Sequence, residues 1–127
     1  MKRSILFLFM LACSVSSSWA QSLIKEATNS FARYGKTQQV AELVKAREQV
    51  DKAYSTRKDS LGYRNNLLRA MVYSTLAATD SLRNYKYTRD PIEEAEYSMG
   101  KIASEKYLDE HEPEVRYIDN QLARAYL

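Results

Sequence analysis

The chain has 127 residues, with 19 basic and 16 acidic side chains, a formal net charge of +3, three glycines, two prolines and one cysteine. One cysteine excludes a disulfide-stapled scaffold, and the scarcity of glycine and proline, with no β-branched runs, excludes a strand-rich fold. The near-balance of charge excludes the concentrated positive face that a nucleic-acid backbone requires.

Residues 1–20 read as a secretory signal peptide: a basic start at Lys2 and Arg3, a short apolar run from Ile5 to Ala12, and a small, polar exit ending in Ser18-Trp19-Ala20. Ser18 and Ala20 fill the small-residue positions of a signal peptidase site, which predicts cleavage before Gln21 and a periplasmic or secreted product. The apolar run falls short of the about 20 residues that span a bilayer. A competing reading takes Leu11-Ala12-Cys13 as the end of a lipobox, with Cys13 lipidated. Lys2 and Arg3 leave with the signal, so 17 basic residues face 16 acidic ones in the mature chain, and no cysteine remains. Residues 21–127 are thus expected to fold as one domain stabilised by helix packing alone.

Five amphipathic helices are predicted. The first runs from Ser22 to Tyr34, with Leu23, Ile24, Ala27 and Phe31 inward and Gly35 placed for a left-handed turn. After a cap at Thr37, a second helix over residues 38–55 turns Val40, Leu43, Val44, Val50, Ala53 and Tyr54 inward. The polar tract Thr56 to Ser60 reads as a loop. Tyr63 to Asp80 carries the widest apolar face, from Leu67, Leu68, Ala70, Met71, Val72, Leu76 and Ala77, and the rest of the domain is expected to lean on it. Ser81 to Arg89 has poor periodicity and reads as a long loop or a frayed helix end. Asp90-Pro91-Ile92-Glu93 is a strong helix start, because Asp can accept from free backbone amides and Pro needs no partner at the first position. Ile92, Ala95, Met99, Ile102 and Ala103 then point inward to about Leu108. Glu112-Pro113-Glu114 begins a last helix, with Val115, Ile118, Leu122, Ala123 and Tyr126 as its inner line.

The fold class is therefore all-α, built of antiparallel helical hairpins that either stack or close into a five-helix bundle. Three partial echoes bear on that choice. Ala27, Thr28, Phe31 and Gly35 are followed by Val40; Ala70 and Tyr73 stand three apart; Leu122, Ala123 and Tyr126 repeat the pairing of small and aromatic residues. A small residue lets a paired helix approach closely, and the aromatic three positions on fills the gap beside it. At these residues the chain resembles a tetratricopeptide-repeat protein of the exported type found in Bacteroidota. The resemblance implies a right-handed solenoid fragment, with Phe31 and Gly35 in a first hairpin. Ala70, Tyr73, Ala95 and Met99 would belong to a second hairpin, and Leu122, Ala123 and Tyr126 would open a third. The small residues Thr28, Ala70 and Ala123 stand 42 and 53 positions apart, against a family period of about 34. Longer helices and the 81–90 insert account for the difference. The abrupt stop at Leu127 then predicts the front portion of a longer array, or a homodimer that covers the open face of the last helix.

Asp109, Glu110, His111 and Glu112 place one histidine among three carboxylates, but metal sites draw ligands from several places and the chain has no second histidine. These residues read as a polar helix end. Glu93, Glu94 and Glu96 read as first-turn charges that suit a helix dipole. Arg83, Tyr85, Lys86, Tyr87 and Arg89 interleave cations with aromatics, as a loop that binds a protein, peptide or glycan would; the bland alternative is a solvated connector. No phosphate loop, nucleophile elbow or HExxH helix occurs. No catalytic residue, metal or cofactor is expected. The expected role is a non-catalytic protein-interaction module of the cell envelope that binds a protein or peptide partner. The runner-up is a structural or stress-related envelope helical bundle, with or without a lipid anchor at Cys13.

Overall fold

The computed structural model describes residues 21–127, all of whose regular structure is helical. The signal peptide and the lipidation of Cys13 lie outside the described residues. The helices are α1 (residues 21–37), α2 (Val40–Ala53), α3 (Arg57–Leu61), α4 (Tyr63–Thr79), α5 (Pro91–Gly100), α6 (Glu105–Glu110) and α7 (Glu112–Tyr126). Two of these, α3 and α6, are single turns absent from the five expected helices. Thr56 accepts from the Asp59 amide at 3.1 Å and so starts α3 inside the tract that reads as a loop. The helix expected to run from Pro91 to Leu108 breaks after Gly100, and Ser104 caps a new turn by accepting from the Tyr107 amide at 3.2 Å.

The first turn also closes differently. Helix α1 continues through Gly35 to residue 37, and the left-handed residue is Gln38, with φ 57°. Gln38 compensates for its strained backbone with hydrogen bonds. Its amide donates to the Tyr34 carbonyl at 2.8 Å and its Nε2 reaches the Tyr34 and Gly35 carbonyls, satisfying the helix end that a glycine would otherwise close.

Helix α4 is the centre of the fold. Eleven of its 17 residues are buried, so it is enclosed on most of its circumference. Helices α2, α5 and α7 pack against it. One core cluster joins Leu68, Val72, Tyr73 and Leu76 to Leu23, Ile24 and Ala27 of α1 and Leu43, Ala46 and Val50 of α2. A second joins Leu67 and Ala70 to Ile102 and to Ile118 of α7, with Met99, Tyr107, Val115 and Leu122 around it. Ala95, from α5, belongs to the first cluster, and Leu122 touches both. Ala123 and Tyr126 depart from the expected inner line of α7. With Ile118 and Leu122 turned inward, Ala123 is carried about 100° round the helix into solvent. Tyr126 is 66% exposed and lies over α5, where its hydroxyl donates to Glu96 at 2.8 Å.

Between α2, α4 and α5 the core is charged. Arg69 is 7% exposed. Its Nε donates to Asp51 of α2 at 3.1 Å, its Nη1 to Ser98 of α5 at 2.9 Å, and its Nη2 to Glu94 of α5. The guanidinium also lies 4.5 Å from the Tyr54 ring centroid and 4.7 Å from that of Tyr73. Tyr73 donates to the second Asp51 oxygen at 2.6 Å. Burial and the Asp51 carboxylate push the Tyr73 hydroxyl far above its ordinary pKa.

Two substitutions probe the two sides of α4. Ala70→Leu, at a fully buried position beside Ile102 and Ile118, is expected to cost about 1 to 3 kcal/mol through overpacking. Arg69→Ala strands two buried or half-buried carboxylates and is expected to cost more, about 3 to 5 kcal/mol. Urea titrations followed by circular dichroism should give that order; equal midpoints for Ala70→Leu and the parent would place Ala70 outside the core.

Candidate functional site

A cleft of about 560 Å³ opens over one face of α4, between α1 and α7. Met71, Thr75 and Thr79, at four-residue steps along α4, form its floor. Phe31, Tyr34, Gly35 and Gln38 form the wall on the side of α1, and Pro113, Glu114, Tyr117, Gln121 and Arg124 the wall on α7. The walls meet at one point, where the Phe31 and Tyr117 rings touch edge to face at 6.1 Å.

Both cleft tyrosines are fixed by threonines of the floor. Tyr34 Oη lies 3.2 Å from Thr79 Oγ1, and Tyr117 Oη lies 2.7 Å from Thr75 Oγ1. Burial pushes the Tyr117 hydroxyl above its ordinary pKa, against the lowering effect of its Thr75 hydrogen bond. Both tyrosines are therefore hydrogen-bonded walls, and the Tyr117 hydroxyl keeps its proton at physiological pH. What the cleft offers is an aromatic and thioether surface edged by amide and hydroxyl groups, a combination suited to holding a chain of side chains and peptide bonds. Among the described residues no three His, Cys, Asp or Glu side chains come together as a metal site would need. His111 stacks on Tyr107 with ring centroids 4.2 Å apart, and its Nδ1 lies 4.0 Å from Glu114.

The interleaved loop lies elsewhere, beyond the C-terminus of α4. Its order depends on Asp80, only 5% exposed, which accepts from the amides of Asn84 at 2.8 Å and Tyr85 at 3.1 Å and from the Tyr87 hydroxyl at 2.8 Å. Arg83, at φ 53°, turns back onto the helix end. It donates to the Ala77 carbonyl at 3.1 Å, the Asp80 carbonyl at 2.6 Å and Asp90 Oδ2 at 2.8 Å. Arg47 of α2 lies 5.0 Å over the Tyr87 ring. Arg83 and Tyr87 thus have their polar ends engaged within the chain, whereas Tyr85 and Lys86 face solvent. Arg89 lies 3.5 Å from Glu94 and 4.9 Å over the Tyr97 ring.

Of the residues singled out for repeat packing, Phe31 and Gly35 line the cleft, while Ala70, Tyr73 and Ala95 are buried on other faces. Tyr117, Gln121 and Arg124 escape a hydrophobicity pattern. They nevertheless continue Glu114 at steps of three, four and three residues, a polar-aromatic stripe legible in the sequence once its partner surface is known. No family model, curated protein or solved structure matches the chain.

The Asp80 anchor has a defined pH dependence. Burial raises its pKa, but the Asn84, Tyr87 and Tyr85 hydrogen bonds and Arg83 outweigh burial and hold the carboxyl below its usual value. A depressed carboxylate stabilises the fold above its unfolded pKa of about 3.9 and loses that stabilisation as pH falls through the folded value. Protection of the Asn84 and Tyr85 amides, their exchange relative to that of an unfolded peptide at the same pH, is expected to hold from neutral pH down to about 4 and to fall only below that. Asp80→Asn should show fast exchange at neutral pH; slow exchange in that variant would assign the loop's order to Arg83 instead.

Proposed function

We propose that this chain is a non-catalytic protein-interaction module of the bacterial cell envelope, a tetratricopeptide-like fragment that seats a peptide segment of its partner in the cleft between α1, α4 and α7. The observation that carries this reading is the composition of the cleft itself: its three elements are the first helix of the α1–α2 hairpin, the first helix of the α4–α5 hairpin, and α7, which comes after the one-turn α6. Stacked hairpins that present successive first helices side by side make a continuous surface for an extended chain. The tyrosines held by threonine hydroxyls, with the Tyr117 pKa pushed up by burial, favour binding over nucleophilic or acid–base chemistry. The export signal in residues 1–20 and the even charge balance favour an envelope protein partner over nucleic acid.

A second reading, a structural envelope bundle, draws support from the enclosure of α4, which is buried on most of its circumference. The two differ in whether the cleft has an occupant.

Gly35 offers a clean way to close the cleft. A Cβ added there meets nothing within 4 Å, and the residue lies inside α1 rather than at a left-handed turn. Gly35→Ala is expected to raise helix stability by about 0.5 to 1 kcal/mol and leave peptide binding intact. Gly35→Trp is expected to keep the fold and weaken peptides selected on the parent protein by at least about tenfold, equivalent to about 1.4 kcal/mol. Peptides from a displayed library that bind Gly35→Trp as tightly as the parent would remove the cleft from the function.

A further inference from the structure

Charge is placed unevenly in the cleft. The floor on α4 and the wall on α1 are built of uncharged side chains, and the two charged lining residues both belong to α7. Glu114 stands in the first turn of α7 and Arg124 in its last. They stand ten helical steps apart, about 15 Å at 1.5 Å per residue. Tyr117 and Gln121 lie between them on the same stripe. The macrodipole of α7 is suited by an acid at its start and a base at its end, but it would be served from any side of the helix. Only their shared stripe turns both charges into the cleft. Both are also free for a ligand. Arg124 makes no ion pair among the described residues, and the Glu114 side chain is 39% exposed, with His111 Nδ1 at 4.0 Å.

We infer that the cleft selects an extended peptide with a basic residue facing Glu114, an acidic residue facing Arg124 and an apolar or aromatic stretch between them. This specificity rests on the cleft being the peptide seat proposed above. At about 3.3 Å per residue an extended strand covers about 15 Å in four to five steps, so the two charges stand about five positions apart. Phe31 and Met71 take the apolar centre, while Gln38 and Gln121 face the peptide's backbone groups. A segment with two like charges at that spacing matches one end and is repelled at the other, which gives the cleft discrimination as well as attraction.

The test uses the mature chain and four fluorescein-labelled peptides with the common centre Ser-Phe-Leu-Ser. Their flanking residues are Lys and Asp, Lys and Lys, Asp and Asp, or Gln and Asn, and binding is read by fluorescence anisotropy. The Lys and Asp peptide is expected to bind the parent tightest, by about threefold for each matched charge, as for exposed ion pairs. Arg124→Glu is expected to move the preference to the doubly basic peptide, and Glu114→Arg to the doubly acidic one, with unchanged circular dichroism in both. The same ranking of peptides in all three proteins would overturn the charge assignment. If, in addition, Gly35→Trp abolishes binding of all four, the peptide seat stands without its charge selectivity. If no peptide binds the parent, both fall.

Discussion

The guanidinium of Arg69 is the contact on which the arrangement of helices depends. It sits inside the domain, between the rings of Tyr54 and Tyr73, and bonds Asp51 on α2 and both Ser98 and Glu94 on α5. A buried cation is tolerated only when its donors are satisfied, and here three helices must be in place to satisfy them. Apolar packing along α4 would accept small slides of α2 or α5, because hydrophobic contact is not directional. The planar fork of an arginine is directional. It sets the register of α2 and α5 against α4 as greasy contact could not.

That register leaves the opposite face of α4 to α1 and α7. Both helices pack on α4 through the core, Leu23, Ile24 and Ala27 from α1 and Ile118 from α7, and each adds an aromatic residue tied to a threonine, Tyr34 to Thr79 and Tyr117 to Thr75, with Phe31 and Tyr117 meeting over the gap between them. Above these core contacts α1 and α7 do not close on each other, and a cleft of about 560 Å³ remains. The division of labour is physical. Apolar packing joins α4 to all its neighbours, charge fixes the α2 and α5 side, and aromatic edges and hydroxyls line the gap left between α1 and α7.

The loop after α4 shows how the same residue types can be ordered inward. Arg83, Tyr85, Lys86, Tyr87 and Arg89 form a pattern of cations and aromatics that suggests a binding loop. Asp80 gathers Tyr87 and the loop amides, and Arg83 closes the carbonyls at the end of α4. Tyr85 and Lys86 are then displayed on a firm support rather than on a floppy connector. Asp80 stands as the last residue of a helix in any sequence reading, and nothing in its neighbours marks it as the acceptor for three later donors.

The sequence by itself determined the all-helical class, the span of α4 to within a residue, the starts at Asp90-Pro91 and Glu112-Pro113, and most of the apolar residues that meet in the two clusters. Those features are local: helical periodicity, proline and capping chemistry act over three or four residues and are written where they act. The one-turn helices α3 and α6 and the left-handed Gln38 were hidden because side-chain hydrogen bonds, rather than propensity, close those turns. The tertiary structure alone decided the rest. Arg69 finds partners 18, 25 and 29 residues away, Tyr117 meets Thr75 across 42, and the stripe that carries Glu114 and Arg124 faces a cleft only because α7 lies beside α4. Such pairings rest on the directional geometry of groups brought together by packing, and a hydrophobic pattern read along the chain carries no record of which polar group will stand opposite which.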